Sequence, residues 1–149
     1  LARRARQRAR QGRGIGRIEL PTLGRSYAIV HGTRSGDLRK GPGHYPSTRF
    51  PGEGRTVAIA GHRTTYGAPF RTIDALKRGD RIVVAMPYAR LTYRVRRTRI
   101  VLPSEVSVLR EVGSEQLVLS ACEPLYSAAK RIVVFARLDG VAPTSGRST

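Results

Sequence analysis

Apolar residues in this chain fall mainly in short runs or in alternation with polar ones. Ile15 to Leu20 alternates and predicts a first strand, stopped by the turn Leu20-Pro21-Thr22-Leu23-Gly24. Tyr27 to His31 predicts a second strand. Thr56 to Ala60 is a buried run that leads into Gly61-His62, and Arg81 to Met86 is another run, closed by a Pro87-Tyr88-Ala89 turn. Leu91, Tyr93 and Val95 alternate with Thr92, Arg94 and Arg96, and the phase shifts before Ile100, which predicts a bend or bulge. Leu117 to Ala121 and Ile132 to Leu138 complete the set. Helical spacing is confined to two places. Ala68 to Lys77 puts Phe70, Ile73 and Leu76 on one side ahead of Gly79, and Asp37 to Lys40 reads as one turn capped by Asp37 or Ser35. Gly41 to Pro46 predicts a rigid loop without regular structure, and Ser104 to Leu109 a loop or helical turn. Seven or eight short strands with two short helices and no repeat predict an all-β barrel or sandwich.

At 149 residues the chain suits one domain with a sizeable core. Trp is absent and Phe is scarce, so Val, Ile, Leu and six Tyr must build that core. The 28 Lys and Arg against 10 Asp and Glu give a formal charge of +18. Such a charge invites polyanions: nucleic acid, acidic glycopolymers or lipid headgroups. Most of it is Arg, which a GC-rich genome also produces. Seven of these Arg lie in Leu1 to Arg17 without an acid among them. That stretch reads as a solvated, frayed basic tail (residues 1–14), with a helical stem leaving a membrane surface as the alternative. The other end, residues 140–149, has the composition of a disordered tail. No run of 18 apolar residues is present and no signal peptide is recognisable. The chain begins at Leu1 without a Met, which leaves room for an anchor upstream.

A single cysteine, Cys122, excludes an internal disulfide and a CxxC site. It ends the Leu117 to Ala121 run, and eight residues separate it from Arg131, which opens the next run. If the two runs pair as an antiparallel hairpin, Arg131 comes opposite Cys122. A guanidinium there can donate several hydrogen bonds to a developing oxyanion. Val118, Ser120 and Cys122 share one strand face; Leu117, Leu119 and Ala121 share the other. A nucleophilic thiol also needs a base. Of His31, His44 and His62, His62 is the best candidate, because it ends a buried strand beside Gly61. The bland readings stay open at this point: an inert buried cysteine, a structural histidine and a solvated arginine, in a basic β-barrel module that binds polyanions.

Three motifs shift that balance. Residues 57–70, VAIAGHRTTYGAPF, resemble the histidine segment of sortases, in particular the class E type of actinobacteria. Leu117 to Cys122, LVLSAC, resembles the family's TLxTC motif, and the Cys122 to Arg131 interval matches the family's spacing. Gly41 to Pro46 is also similar to class E. The resemblance covers about residues 15–139 and implies a closed eight-stranded barrel with one or two short helices.

It also implies a membrane-anchored cysteine transpeptidase on the extracellular face of a Gram-positive cell. Cys122 would cleave a C-terminal LAxTG- or LPxTG-like sorting signal through a thioester. His62 would act as acid and base, and Arg131 would stabilise the oxyanion. The acceptor would be the amine of a lipid II-like cell-wall precursor. Tyr45 falls where class E carries a Tyr tied to the LAxTG preference. His44, Thr64, Tyr66, Ser120, Ala121 and Tyr126 are further candidates for substrate binding. No metal, cofactor or nucleic acid is expected, and the enzyme is expected to be a monomer. The anchor would precede residue 1, and the basic stretch would rest on anionic lipid or cell-wall polymer. Ser120-Ala121 departs from the motif's two Thr, and Ala121 puts a hydrogen bond near the nucleophile in doubt. Glu123 beside the thiol would disfavour thiolate if it pointed inward. A barrel that has lost activity is therefore a third reading.

Overall fold

The computed structural model describes residues 1–63, 67–123 and 130–143, with Cys122 and Glu123 described at the backbone only. Eight strands carry the fold: β1 (Gly14–Leu20), β2 (Arg25–His31), β3 (Gly43–His44), β4 (Thr56–Ala60), β5 (Arg81–Met86), β6 (Ala89–Val101), β7 (Gln116–Glu123) and β8 (Lys130–Pro143). They close into a barrel in the order β1-β2-β3-β4-β7-β8-β6-β5. Closure removes the exposed edges that so many short strands would otherwise leave. Most neighbours are antiparallel; β2–β3 and β4–β7 are parallel.

Alternation sorts the side chains into two clusters. Ile18, Leu20, Ile59, Ile82, Val84, Leu91, Tyr93, Leu117, Leu119 and Val134 fill the barrel interior. A second cluster outside the wall joins Ala58, Val118, Val133 and Phe135 to Val101 and Val108, with Tyr45 packed against it. The bulge expected in the long strand is present: the β6–β8 register shifts between Val95 and Arg97, and again between Thr92 and Tyr93.

Tyr93, fully buried, donates its hydroxyl to Glu115 Oε2 at 2.5 Å. The same carboxylate accepts the N–H groups of Gly52 and Gly54. It thereby ties the turn ahead of β4 to the segment ahead of β7, and sets the two parallel strands side by side.

Four local expectations change. The basic stretch is not a frayed tail: α1 (Ala2–Arg8) forms and docks on the barrel. Ala2 is buried, Ala5 and Ala9 pack on the core, and Arg6 Nε meets Glu53 Oε2 at 2.7 Å. Alanines at helical spacing give that helix one face small enough to lie flat on the sheet. The helix expected over residues 68–77 shrinks to a 3-10 turn, Ile73–Ala75. Ala68 has φ 43°, outside the helical range, and Pro69 follows it, so no helix starts there. Phe70, Ile73 and Leu76 are buried as expected. Within the GPGHYP loop Gly43 and His44 pair with both β2 and β4. Gly43 is irreplaceable there, since a Cβ would lie 2.0 Å from the Gly32 carbonyl oxygen. Finally, residues 140–143 extend β8 against the start of β6 instead of fraying, and residues 144–149 lie outside the described residues.

The helical turn α2 (Ser35–Leu38) starts earlier than expected, with buried Asp37 reaching back to accept the Arg34 N–H at 3.1 Å. No helix among the described residues is long and apolar enough to cross a membrane.

Candidate active site

β7 and β8 pair so that Cys122 faces Arg131 directly, with Ala121 opposite Ile132 and Ser120 opposite Val133. β4 runs parallel to β7 on its other side, with Ala60 level with Ser120. The Gly61 N–H extends that ladder by donating to the Ser120 carbonyl at 3.0 Å. His62 lies two residues past Ala60 and Cys122 two past Ser120. The three candidates therefore sit on three adjacent strand ends, with His62 at least 60 residues away from the other two along the chain.

A cleft of about 240 Å³ opens there, bordered by Tyr45, His62, Ser120 and Arg131 together with Thr33 and Leu38. A smaller hollow of about 90 Å³ shares Tyr45, Ser120 and Arg131 and continues along Val101, Val106 and Leu109. The two make one groove with a polar end at His62 and an apolar end under the β6–β7 segment. Its walls include residues that the sequence reading passed over. Leu38 is an apolar residue in a polar helical turn. Leu102 and Val106 are exposed apolar residues in what reads as a loop.

The histidine is held by its own loop. Phe70 N–H closes that loop on the His62 carbonyl at 2.9 Å. Gly61 packs on the Phe70 ring so closely that a Cβ would lie 2.6 Å from it. Arg63, 2% exposed, donates to the Arg71 carbonyl and pairs with Asp74 at 3.2 Å. Partial burial holds the His62 pKa below its ordinary value, so the imidazole is neutral near pH 7.

Adjacent strand residues point to opposite faces, and this separates the other candidates. Tyr45 borders the groove. His44, 1% exposed, turns the other way, into buried contacts. Its Nε2 lies 2.8 Å from the Arg49 carbonyl and 3.1 Å from Thr48 Oγ1, and its ring stacks on His31 at 5.3 Å. Burial pushes its pKa down to about 4. Thr48 also donates to the Tyr45 carbonyl at 2.8 Å and accepts the Ala58 N–H at 3.2 Å, which pins the Tyr45 turn.

Ser120 is on the groove face. Ala121 borders the cleft but belongs to the interior core, so the hydroxyl its departure from the motif removes would have faced the barrel core. Thr64, Tyr66 and Tyr126 lie outside the described residues. Among the described residues no three His, Cys, Asp or Glu side chains converge as metal ligands.

The family model for the sortase domain matches residues 18–139. The chain belongs to the sortase family. Sortase D of Bacillus subtilis is 32% identical over 130 residues, covering 85% of this chain and 64% of that protein. SrtE1 of Streptomyces coelicolor is 29% identical, over 90% of this chain and 43% of that one. This sortase chain thus spans between about two fifths and two thirds of the length of these curated relatives. Its barrel superposes on the crystal structure of Sortase E1 from Streptomyces coelicolor with a tripeptide in the active site. The TM-score is 0.85, at 28% identity, over 94% of this chain and 98% of that one. SrtF of Corynebacterium diphtheriae gives a TM-score of 0.86 at 28% identity, over 95% of this chain and 92% of that one. The sortase barrel expected from the motifs is the barrel observed.

Proposed function

We propose that this sortase is a cysteine transpeptidase acting on sorting-signal peptides, with Cys122, His62 and Arg131 as its catalytic residues. The observation that carries the reading is the pairing of Cys122 with Arg131 beside the His62 end of β4. Neutral His62 takes the thiol proton as the Cys122 sulfur attacks the carbonyl carbon of the Thr-Gly bond. Negative charge moves to the carbonyl oxygen, where Arg131 donates hydrogen bonds. The C–N bond then breaks, His62 gives its proton to the leaving Gly nitrogen, and a thioester remains on Cys122. An acceptor amine attacks the thioester, neutral His62 takes its proton, and that proton passes to the released Cys122 sulfur. Every atom is accounted for without a cofactor.

The groove supports a peptide ligand: its apolar end suits an aliphatic side chain upstream of the cleaved bond. Sortase E1, with its tripeptide in the active site, supports the same placement by likeness. Tyr45 at the junction of the two hollows is the residue we assign to LAxTG preference. The acceptor is the stem-peptide amine of a lipid II-like precursor, which places the domain at the outer face of the cell membrane.

Mass spectrometry of the chain incubated with an LAxTG peptide tests this. A thioester adduct on Cys122, absent in Cys122→Ala, is the expected result. Cleavage that persists in Cys122→Ala, or an unmodified Cys122 alongside product, would overturn the mechanism.

A further inference from the structure

A concavity larger than either hollow of the peptide groove lies elsewhere on the barrel. It is a separate groove of about 810 Å³ between α1, the start of β1 and the end of β5. Around the closed barrel, β1 and β5 lie opposite β4 and β7, with two strands separating the pairs on either side. The large groove therefore occupies the wall facing away from the cleft.

Its chemistry is two-toned. Ala9, Ile15 and Met86 contribute an apolar floor, and Arg8, Arg10, Arg13 and Arg17 stand around it. All four arginines are exposed, and no acid is among the lining residues. They are not on a loose tail. The Gly12 N–H donates to the His31 carbonyl at 2.7 Å, the His31 N–H donates to the Arg13 carbonyl at 2.8 Å, and Lys40 donates to the Gly12 carbonyl at 3.0 Å. With the Arg6–Glu53 ion pair, these bonds fix the backbone that carries the cations. Protein that merely tolerates a basic tail has no reason to order it against an apolar trough.

We propose that this groove docks the domain peripherally on an anionic phospholipid surface. Phosphate headgroups would meet the arginine rim, and the upper acyl chain region would meet the apolar floor. The pairing of the two chemistries favours a lipid over an acidic glycopolymer, which has charge for the rim and nothing for the floor. Because the groove lies on the wall opposite the cleft, docking leaves the cleft uncovered. The inference is independent of the reaction, since it needs neither Cys122 nor His62.

Vesicle flotation of the whole chain tests it by binding alone. The chain is expected to float with phosphatidylglycerol-containing vesicles and not with pure phosphatidylcholine. Arg8→Ser/Arg10→Ser/Arg13→Ser should weaken binding on the order of 100-fold, at about fivefold for each basic residue at an anionic surface. Arg96→Ser/Arg99→Ser/Arg110→Ser, which removes the same charge elsewhere, should cost far less; an equal loss would mean that net charge binds and the groove does not. The chain has no Trp, so Ala9→Trp gives a single reporter on the floor. Its emission should shift to the blue and be quenched by chain-brominated lipids in anionic vesicles only. A Trp that stays solvent-like on bound vesicles, or that responds equally to soluble polyphosphate, overturns the proposal.

Discussion

Cys122 and Arg131 are direct partners in the β7–β8 ladder, although eight residues separate them in sequence. Neither can move along the barrel without slipping the register of eight paired positions. Arg131 is thus held at a fixed level, and if it is the oxyanion donor proposed above, its removal should act on the reaction more than on the fold. Arg131→Ala is expected to lower kcat roughly 10²- to 10³-fold with a smaller change in KM. Arg131→Lys, which keeps the charge but loses the planar fork, should recover only part of it. Steady-state kinetics with an LAxTG peptide, beside an unchanged melting curve, checks both.

With His62 as the proposed base, its titration should set the acid side of the pH profile. Burial lowers its pKa, so the neutral imidazole persists below the ordinary histidine value of about 6.5. The fall in kcat/KM on acidification should accordingly be centred below that pH. A midpoint above pH 7 would mean that another group titrates.

Gly61 is a packing constraint next to His62. In Gly61→Ala the new methyl would meet the Phe70 ring at 2.6 Å, so the ring or the His62 loop must shift. A stability loss of about 1–3 kcal/mol is expected from overpacking. The activity loss should exceed what that instability explains, because Phe70 N–H also holds the His62 carbonyl. Urea unfolding and kcat, measured on one preparation, separate the two effects.

Glu115 and Tyr93 hold β4 beside β7. Tyr93→Phe removes one donor from a buried carboxylate that keeps the Gly52 and Gly54 N–H groups, and should cost about 1–2 kcal/mol. Glu115→Ala takes the acceptor from the buried Tyr93 hydroxyl and from the more exposed Gly52 and Gly54 N–H groups, and should cost about 2–3 kcal/mol. Thermal unfolding reports both, and a neutral Glu115→Ala would refute the role.

His44 makes stability depend on pH. It is buried neutral with a pKa of about 4, against about 6.5 when unfolded. Between those values the unfolded chain binds a proton that the native chain does not, so stability rises with pH across the window. Acidification from pH 6.5 to 4 should remove about 3 kcal/mol through this group. His31, also lowered by burial, adds in the same direction. His44→Asn should flatten the slope in urea titrations run from pH 4 to 7.5.

The alternation of Leu91 to Val95, the short apolar runs and the LVLSAC and AGHR segments made the strands, the barrel class and the family readable. Each rests on residues close in sequence. The expectations that failed rested on local composition where a distant partner decides. Alanines and arginines at the N-terminus read as a tail because nothing local shows the barrel wall that Ala2, Ala5 and Ala9 cover. Residues 68–77 keep helical spacing, yet the positive φ at Ala68 and the Phe70–Gly61 contact bend them otherwise. His44 and Tyr45 are equal candidates in the sequence; only β3 pairing turns one inward and the other to the groove.

Side-chain period and motif spacing follow from covalent geometry, so the sequence alone determined most of the strands and the level at which Cys122 meets Arg131. Barrel closure joins residues far apart along the chain, a property no local pattern carries. It alone decided that β4 lies beside β7, that Ala121 faces the core while Ser120 faces the groove, and that an arginine-rimmed trough lies on the wall opposite the cleft.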